Sequence, residues 1–181
     1  MLINKEESLL IIIDVQERLA PAMENPRAII NGASKLLDVC QILNIPYLLT
    51  EQYPAGLGST IFDVKKSAKE NATYLAKTSF SCLKEEVVAK ELKKHKKTQI
   101  ILAGLETHIC VLQTAIELKE KGYNVFVVAD ACGSRNMHQT SIALQRMMQN
   151  GIEIVSTEMV IFEWLEDSKN KDFKEISKKH L

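Results

Sequence analysis

Thr98-Gln-Ile-Ile-Leu-Ala-Gly104 runs directly into Leu105-Glu-Thr-His-Ile-Cys110-Val111, and the fold is read outward from this junction. A short apolar run that stops on a glycine has the pattern of a fully buried strand. The residues behind it open a helix. Cys110 therefore falls in a first helical turn, at the positive end of the dipole, where thiolate is favoured over thiol. Two other strand ends supply ionisable partners: Asp14 follows Leu9-Leu-Ile-Ile-Ile13, and Lys77 follows Thr73-Tyr-Leu-Ala76. If these strands lie side by side, acid, amine and thiol meet in one crevice.

The same strand-then-helix alternation continues on both sides of the junction. Apolar runs at 9–13, 45–50, 73–77, 98–104, 124–129 and 152–155 read as strands. Helical spacing is found over 28–43 (Ile29, Ala33, Leu36, Leu37, Cys40, Leu43), over 83–94, from Cys110 to Gly122, and over 139–149. Between 51 and 58 lies a turn-rich loop, Glu51-Gln-Tyr-Pro-Ala-Gly-Leu-Gly58, and two helical stretches, 159–165 and 172–180, close the chain. Near-continuous apolar strands separated by helices require a parallel sheet covered on both faces. Right-handed crossovers then give a three-layer α/β/α, doubly wound, six-stranded sheet of order 3-2-1-4-5-6, with ligands at the carboxyl ends of the strands. Strands one and four are neighbours in that order. Lys77, two strands from Asp14, has to reach in through its loop and long side chain. We read residues 1–181 as one domain, with 157–181 as a carboxy-terminal helical segment. Phe162, Trp164, Leu165, Phe173 and Ile176 in that segment are expected to serve subunit contacts.

Composition removes several classes of function. With 181 residues, 46% hydrophobic and 25% charged, the chain is long enough for one substantial core. Lys plus Arg (23) balance Asp plus Glu (23), so no bulk field points to nucleic acid or an anionic membrane. The clusters at 93–97 and 178–180 read as solvated helix ends. The cysteines, at 40, 82, 110 and 132, show neither C-x-x-C nor zinc spacing, which suits free thiols in a reducing compartment. The start of the chain lacks the features of a secretory or transit signal, and cytoplasm is the expected location. Strand one is followed by Asp14-Val-Gln-Glu-Arg18 rather than G-x-G-x-x-G, and no P-loop motif occurs. No cofactor or metal is expected.

Acyl transfer is chemistry that such a trio can perform. A thiol with an ordinary pKa of about 8.5 is only slightly ionised at neutral pH. Lowering it by about two units beside a cation and a helix terminus makes thiolate the major form. Lys77 supplies the cation, while Asp14 takes the thiol proton and returns it to a leaving amine. Backbone amides at the start of the Cys110 helix can hold the oxyanion. A thioester followed by water attack gives hydrolysis of an amide or related C–N bond. Taken singly, each group has a plainer reading: Asp14 as a cap, Lys77 as a surface charge, and Cys40, Cys82 and Cys132 as small buried hydrophobes. His108 and His138 read as exposed or hydrogen-bonded. The weight rests on convergence at one sheet edge.

Ile12-Ile-Asp14-Val-Gln16, Lys77-Thr-Ser-Phe80-Ser81, Ala103-Gly-Leu-Glu-Thr-His-Ile-Cys110-Val111 and Asp130-Ala-Cys-Gly-Ser-Arg135, in this order, resemble the isochorismatase-like cysteine hydrolase superfamily over nearly the whole chain. The resemblance implies Asp14 as general base and acid, Lys77 as thiolate stabiliser and Cys110 as nucleophile. It also implies a cis peptide between Leu105 and Glu106, which with Cys110 shapes the oxyanion hole. Thr50-Glu-Gln-Tyr-Pro54 and Gly56-Leu-Gly58 resemble the small, metal-free branch. The Asp-x-His zinc motif that nicotinamidases carry after strand two is replaced here by Glu51-Gln52-Tyr53. True isochorismatases lack the cysteine, so Cys110 argues against vinyl-ether chemistry. Gln16, Gln52, Tyr53, Phe80 and Arg135 are the candidates for substrate contact, and Glu106 for the same pocket wall. Homologous folds imply a homo-oligomer. A hydrolase of a small amide-like molecule is the leading expectation; an idle oligomeric binding module is the alternative, with thiol redox sensing by Cys110 a weaker third.

Overall fold

The computed structural model describes residues 1–70 and 72–180. Strands β1 (Ser8–Ile13), β2 (Tyr47–Gln52), β3 (Tyr74–Lys77), β4 (Gln99–Leu105), β5 (Asn124–Gly133) and β6 (Glu153–Val155) form one sheet. Every pairing is parallel, in the order β3-β2-β1-β4-β5-β6. The helices are α1 (Pro26–Leu43), α2 (Pro54–Leu57), α3 (Phe62–Ala68), α4 (Glu86–Lys94), α5 (Leu112–Glu120), α6 (Met137–Gln149), α7 (Thr157–Leu165) and α8 (Phe173–His180).

The two-residue period of the strands divides the core into two layers. Leu10 and Ile12 of β1, with Ile101, Ala103, Phe126 and Val128, pack among residues of α1, α3, α7 and α8. Leu9, Ile11 and Ile13, with Ile100, Leu102, Val125 and Val127, pack among residues of α4, α5 and α6. Successive side chains point to opposite faces, so a strand buried on both must be apolar throughout. β1 and β4 are buried along their full length. Helix α1 shows how local sequence sets an element. Asn25 caps it by accepting the Ala28 amide, Pro26 occupies its first turn, and Asn44 ends it in the left-handed region at φ 57°. Its stripe of Ile29, Ala33, Leu36, Leu37 and Cys40 is buried.

Three sequence-based expectations are corrected. β2 runs on through Glu51 and Gln52, placing both in the sheet rather than in the loop. β5 continues to Gly133, because a register shift between Leu102 and Gly104 lets Cys132 pair with Gly104 beyond the irregularity. Trp164, Leu165 and Ile176 are not free for subunit contacts: they are buried in the core of their own chain, where the Trp164 indole N–H donates to Ser8 Oγ at 2.9 Å. Phe162 remains partly exposed, with its ring 6.3 Å from that of Phe173. Helix α3 gave little signal, since only Val64 and Ala68 are buried among its lysines.

Candidate active site

The central strand carries Asp14 at its carboxyl end. Asp14 has φ 53°, a left-handed turn that Asp tolerates better than most residues, and its amide donates to Thr50 O at 3.1 Å. Its neighbour β4 comes unusually close. A Cβ on Gly104 would lie 2.0 Å from Ile13 O, and Gly104 has φ +120°, so the approach of β4 to the end of β1 requires glycine. The peptide between Leu105 and Glu106 is cis. A wide π-helical turn, Thr107–Val111, follows and leads into α5, with the Val111 amide reaching back to Glu106 O at 3.3 Å. The helix therefore starts later than the sequence suggests, and Cys110 sits in the π turn, a form that recurs at functional sites.

Lys77 reaches Asp14 across β2. It pairs with Gln52 in the sheet register, and its side chain folds back over the strand end to bring Nζ within 2.7 Å of Asp14 Oδ2, neither side chain being exposed. The ammonium also donates to Gln52 Oε1 and to the carbonyls of Ser79 (3.2 Å) and Phe80 (3.3 Å). The other Asp14 oxygen, Oδ1, accepts from Thr50 Oγ1 at 2.7 Å. The Cys110 thiol completes the cluster, close enough for it and Asp14 to shift one another's ionisation.

Burial and charge set the protonation states. Burial raises Asp14 above the usual carboxylate range, against the lowering effects of Lys77, Thr50 and Cys110. Burial works to lower Lys77, but the charge of Asp14 and the nearby thiols Cys82 and Cys110 leave it raised and firmly protonated. Cys110, 5% exposed, is pushed up to about 12 by burial and by the negative charge of Asp14, which together outweigh Lys77. The expectation of a depressed thiol is thereby corrected. The ammonium is in contact with the carboxylate, so its field is largely spent on Asp14. At rest Cys110 is a thiol and Lys77 an ammonium held against Asp14.

The remaining candidates divide. Gln52 touches Lys77 and, through Nε2, the Thr78 carbonyl at 2.7 Å. Gln16 is fully buried and acts as a strap, donating to Gln52 O (3.0 Å) and Gly58 O (2.7 Å) and accepting from the Gln52 amide (2.7 Å). Its amide is committed to backbone, which corrects its assignment to substrate contact. Tyr53 and Phe80 are exposed at the strand ends. Tyr53 lines a cleft of about 220 Å³ with Lys77, Thr78 and Glu85; Phe80 serves Lys77 through its carbonyl. Arg135 is exposed and donates from Nε to the nearly buried Glu106 carboxylate at 3.0 Å. His108 Nδ1 lies 2.9 Å from Ser134 Oγ, and His138 is exposed on α6. Among the described residues, no group of three or more His, Cys, Asp or Glu side chains could hold a metal ion. Sequence reading missed Thr50, whose only signal is a hydroxyl at the end of a buried strand.

Known proteins match this architecture. A family model described as the Isochorismatase domain matches residues 8–159. Isochorismatase domain-containing protein 2 of Danio rerio is 38% identical over 176 residues, spanning 97% of this chain and 88% of the relative. The solved MAR1 ribonuclease of Caenorhabditis elegans superposes with a TM-score of 0.92 at 38% identity, over 98% of this chain and 91% of that one. YcaC of Escherichia coli, described as an octameric hydrolase of unknown specificity, superposes with a TM-score of 0.90 at 28% identity, over 94% and 85% of the two chains. A parallel sheet of order 3-2-1-4-5-6 and a family match over residues 8–159 converge on one assignment: the chain belongs to the isochorismatase domain family.

Proposed function

We propose that this protein is a cysteine hydrolase acting on the C–N bond of a small amide-like molecule. The observation that carries this reading is the Asp14 carboxylate held 2.7 Å from the Lys77 ammonium, with the Cys110 thiol near enough to feel the charge of both. A thiol pushed up to about 12 does not attack as a preformed thiolate. Instead Asp14 accepts its proton as Sγ bonds to the substrate carbonyl carbon, which is general-base catalysis by a group whose charge the thiol already feels. The oxyanion lies against backbone amides of the turn containing Glu106 and Cys110, since the first amides of a helix have no intrahelical acceptor. Asp14 passes its proton to the leaving nitrogen and the C–N bond breaks, leaving a thioester. A water molecule then gives its proton to Asp14 and attacks the thioester carbonyl. The acid departs, and the proton returns to Cys110 sulfur. Throughout, Lys77 offsets the cost of a buried carboxylate.

Gln52, Tyr53, Phe80 and Arg135 are proposed to border the substrate, Gln52 also holding Lys77. Neither a metal nor a cofactor enters this scheme. Self-association is supported by the octameric relative, and cytoplasmic location by free, buried cysteines. Among the described residues no helix is long and apolar enough to cross a membrane. The test is a panel of small amides, ureas, esters and RNA oligonucleotides, with Cys110→Ala as the control. Cys110-dependent amide or urea turnover with a mass-trapped acyl adduct supports the reading. RNA cleavage that survives Cys110→Ala, or turnover confined to RNA, would overturn it.

A further inference from the structure

We infer that Thr50 is a positioning residue of the hydrolytic cluster: its hydroxyl, backed by the thiol of Cys82, pins one oxygen of Asp14 so that the carboxylate faces the Cys110 proton. Thr50 is buried and grips Asp14 twice, with its carbonyl accepting the Asp14 amide at 3.1 Å and its Oγ1 donating to Oδ1 at 2.7 Å. A hydroxyl has one proton to give. Cys82 settles where that proton goes, because its Sγ donates to Thr50 Oγ1 at 3.9 Å and occupies the acceptor side. Cys82 is itself fixed, its amide donating to Thr114 Oγ1 at 3.0 Å on the helix that begins just after Cys110. Burial pushes the Cys82 thiol up to about 11, so it stays a donor at neutral pH.

With Oδ1 taken by Thr50 and Oδ2 by Lys77, rotation of the carboxylate breaks two contacts at once. The ionisable groups facing Asp14 are Lys77 from β3, Cys110 from the π turn, and Cys82 from the turn before α4. Thr50 is the neutral member of that ring, and its hydrogen bond stabilises the ionised form of Asp14. The inference rests on Asp14 being the proton acceptor.

The rate of Cys110 alkylation by iodoacetamide, followed by mass spectrometry against pH, needs no knowledge of the substrate. In the native protein its acid limb reports the ionisation of Asp14. Thr50→Val, which keeps the shape and loses the hydroxyl, is expected to move that limb up by about one pH unit. Thr50→Ser, which loses the methyl and keeps the hydroxyl, is expected to return it to within about 0.3 unit of native even if its melting temperature falls. Thr50→Ala, which cannot overpack the site, carries the same expectation as valine. A limb unmoved in valine and alanine, or a serine limb that follows valine, overturns the role of Thr50. Asp14→Asn separates the two levels. If asparagine leaves the acid limb in place, the proton-acceptor reading fails; if asparagine abolishes it while valine leaves it unmoved, only the role of Thr50 fails.

Discussion

Asp14 Oδ2 and Lys77 Nζ stand 2.7 Å apart with both side chains wholly out of solvent, although their strands are separated by β2. Breaking one side of such a pair leaves an uncompensated buried charge, which costs about 3–5 kcal/mol. Lys77→Met is therefore expected to lose stability in that range in urea unfolding. Asp14→Asn removes the stranded charge, so the double variant should be less damaged than the sum of the singles by about 2 kcal/mol. Additive losses would mean that the two groups do not hold one another.

Cys110 offers a second measurement on the same cluster. With its thiol pushed up to about 12, ultraviolet titration should show no Cys110 thiolate below about pH 9. Lys77 lowers this thiol, so Lys77→Met should move the thiolate signal to still higher pH. A thiolate band at neutral pH that is absent from Cys110→Ala would show that the carboxylate does not dominate the sulfur.

Gly104 is predicted to tolerate no side chain. The added methyl of Gly104→Ala would meet Ile13 O at 2.0 Å, with further contacts to Ile13 N at 2.7 Å, on a backbone at φ +120°. Backbone atoms of a central strand cannot step aside, and the left-handed torsion disfavours any Cβ. The loss should exceed about 4 kcal/mol, among the largest effects of a single substitution. Yield and thermal unfolding of the purified variant read it directly.

Gln16 tests the difference between a strap and a ligand contact. Its amide ties the end of β2 to Gly58 through three hydrogen bonds. Gln16→Ala should cost about 2 kcal/mol, since it leaves buried backbone groups unpaired. Amide hydrogen exchange should quicken over residues 52–60 and leave the Cys110 turn unaffected. Unchanged exchange there would show that the loop is held by other contacts.

The sheet and its order could be read from the sequence because β1 and β4 are apolar on both faces, a pattern that only a doubly covered strand requires. The ends of elements were less legible. Glu51 and Gln52 are polar and sit beside Pro54 and Gly56, so local chemistry announces a loop while strand pairing with Ala76 and Lys77 extends β2. The convergence of Asp14, Lys77 and Cys110 followed from strand order and the length of a lysine side chain. The protonation of Cys110 did not follow. A helix terminus and a cation in the sequence argue for thiolate, whereas burial of the sulfur and the charge of Asp14, which Lys77 touches, reverse the balance. Thr50 and Gln16 act through hydrogen bonds between elements far apart in sequence, and no periodicity encodes those. The carboxy-terminal aromatics read as a sticky surface because their partners, Ser8 among them, lie at the other end of the chain.

Glu85 links acid stability to the site. Its carboxylate accepts the amides of Thr78 and Ser79 at 2.9 Å each and the Thr78 hydroxyl at 3.3 Å. These bonds hold its pKa down at about 2, and they tie down the segment whose Ser79 and Phe80 carbonyls face Lys77. A carboxylate whose folded pKa lies below its unfolded value of about 4.3 stabilises the protein above that value. The contribution fades as pH falls from there towards about 2. Solvent screening at this half-buried surface position limits it to about 1 kcal/mol. Glu85→Gln should thus be about 1 kcal/mol less stable than the native protein at pH 7 in urea unfolding, with the gap narrowing at about pH 3. Gln keeps a carbonyl acceptor but carries no charge, so its own stability should not share that acid dependence. A gap that stays constant over this window would mean that the segment is anchored by shape alone, with the charge of Glu85 contributing nothing to it.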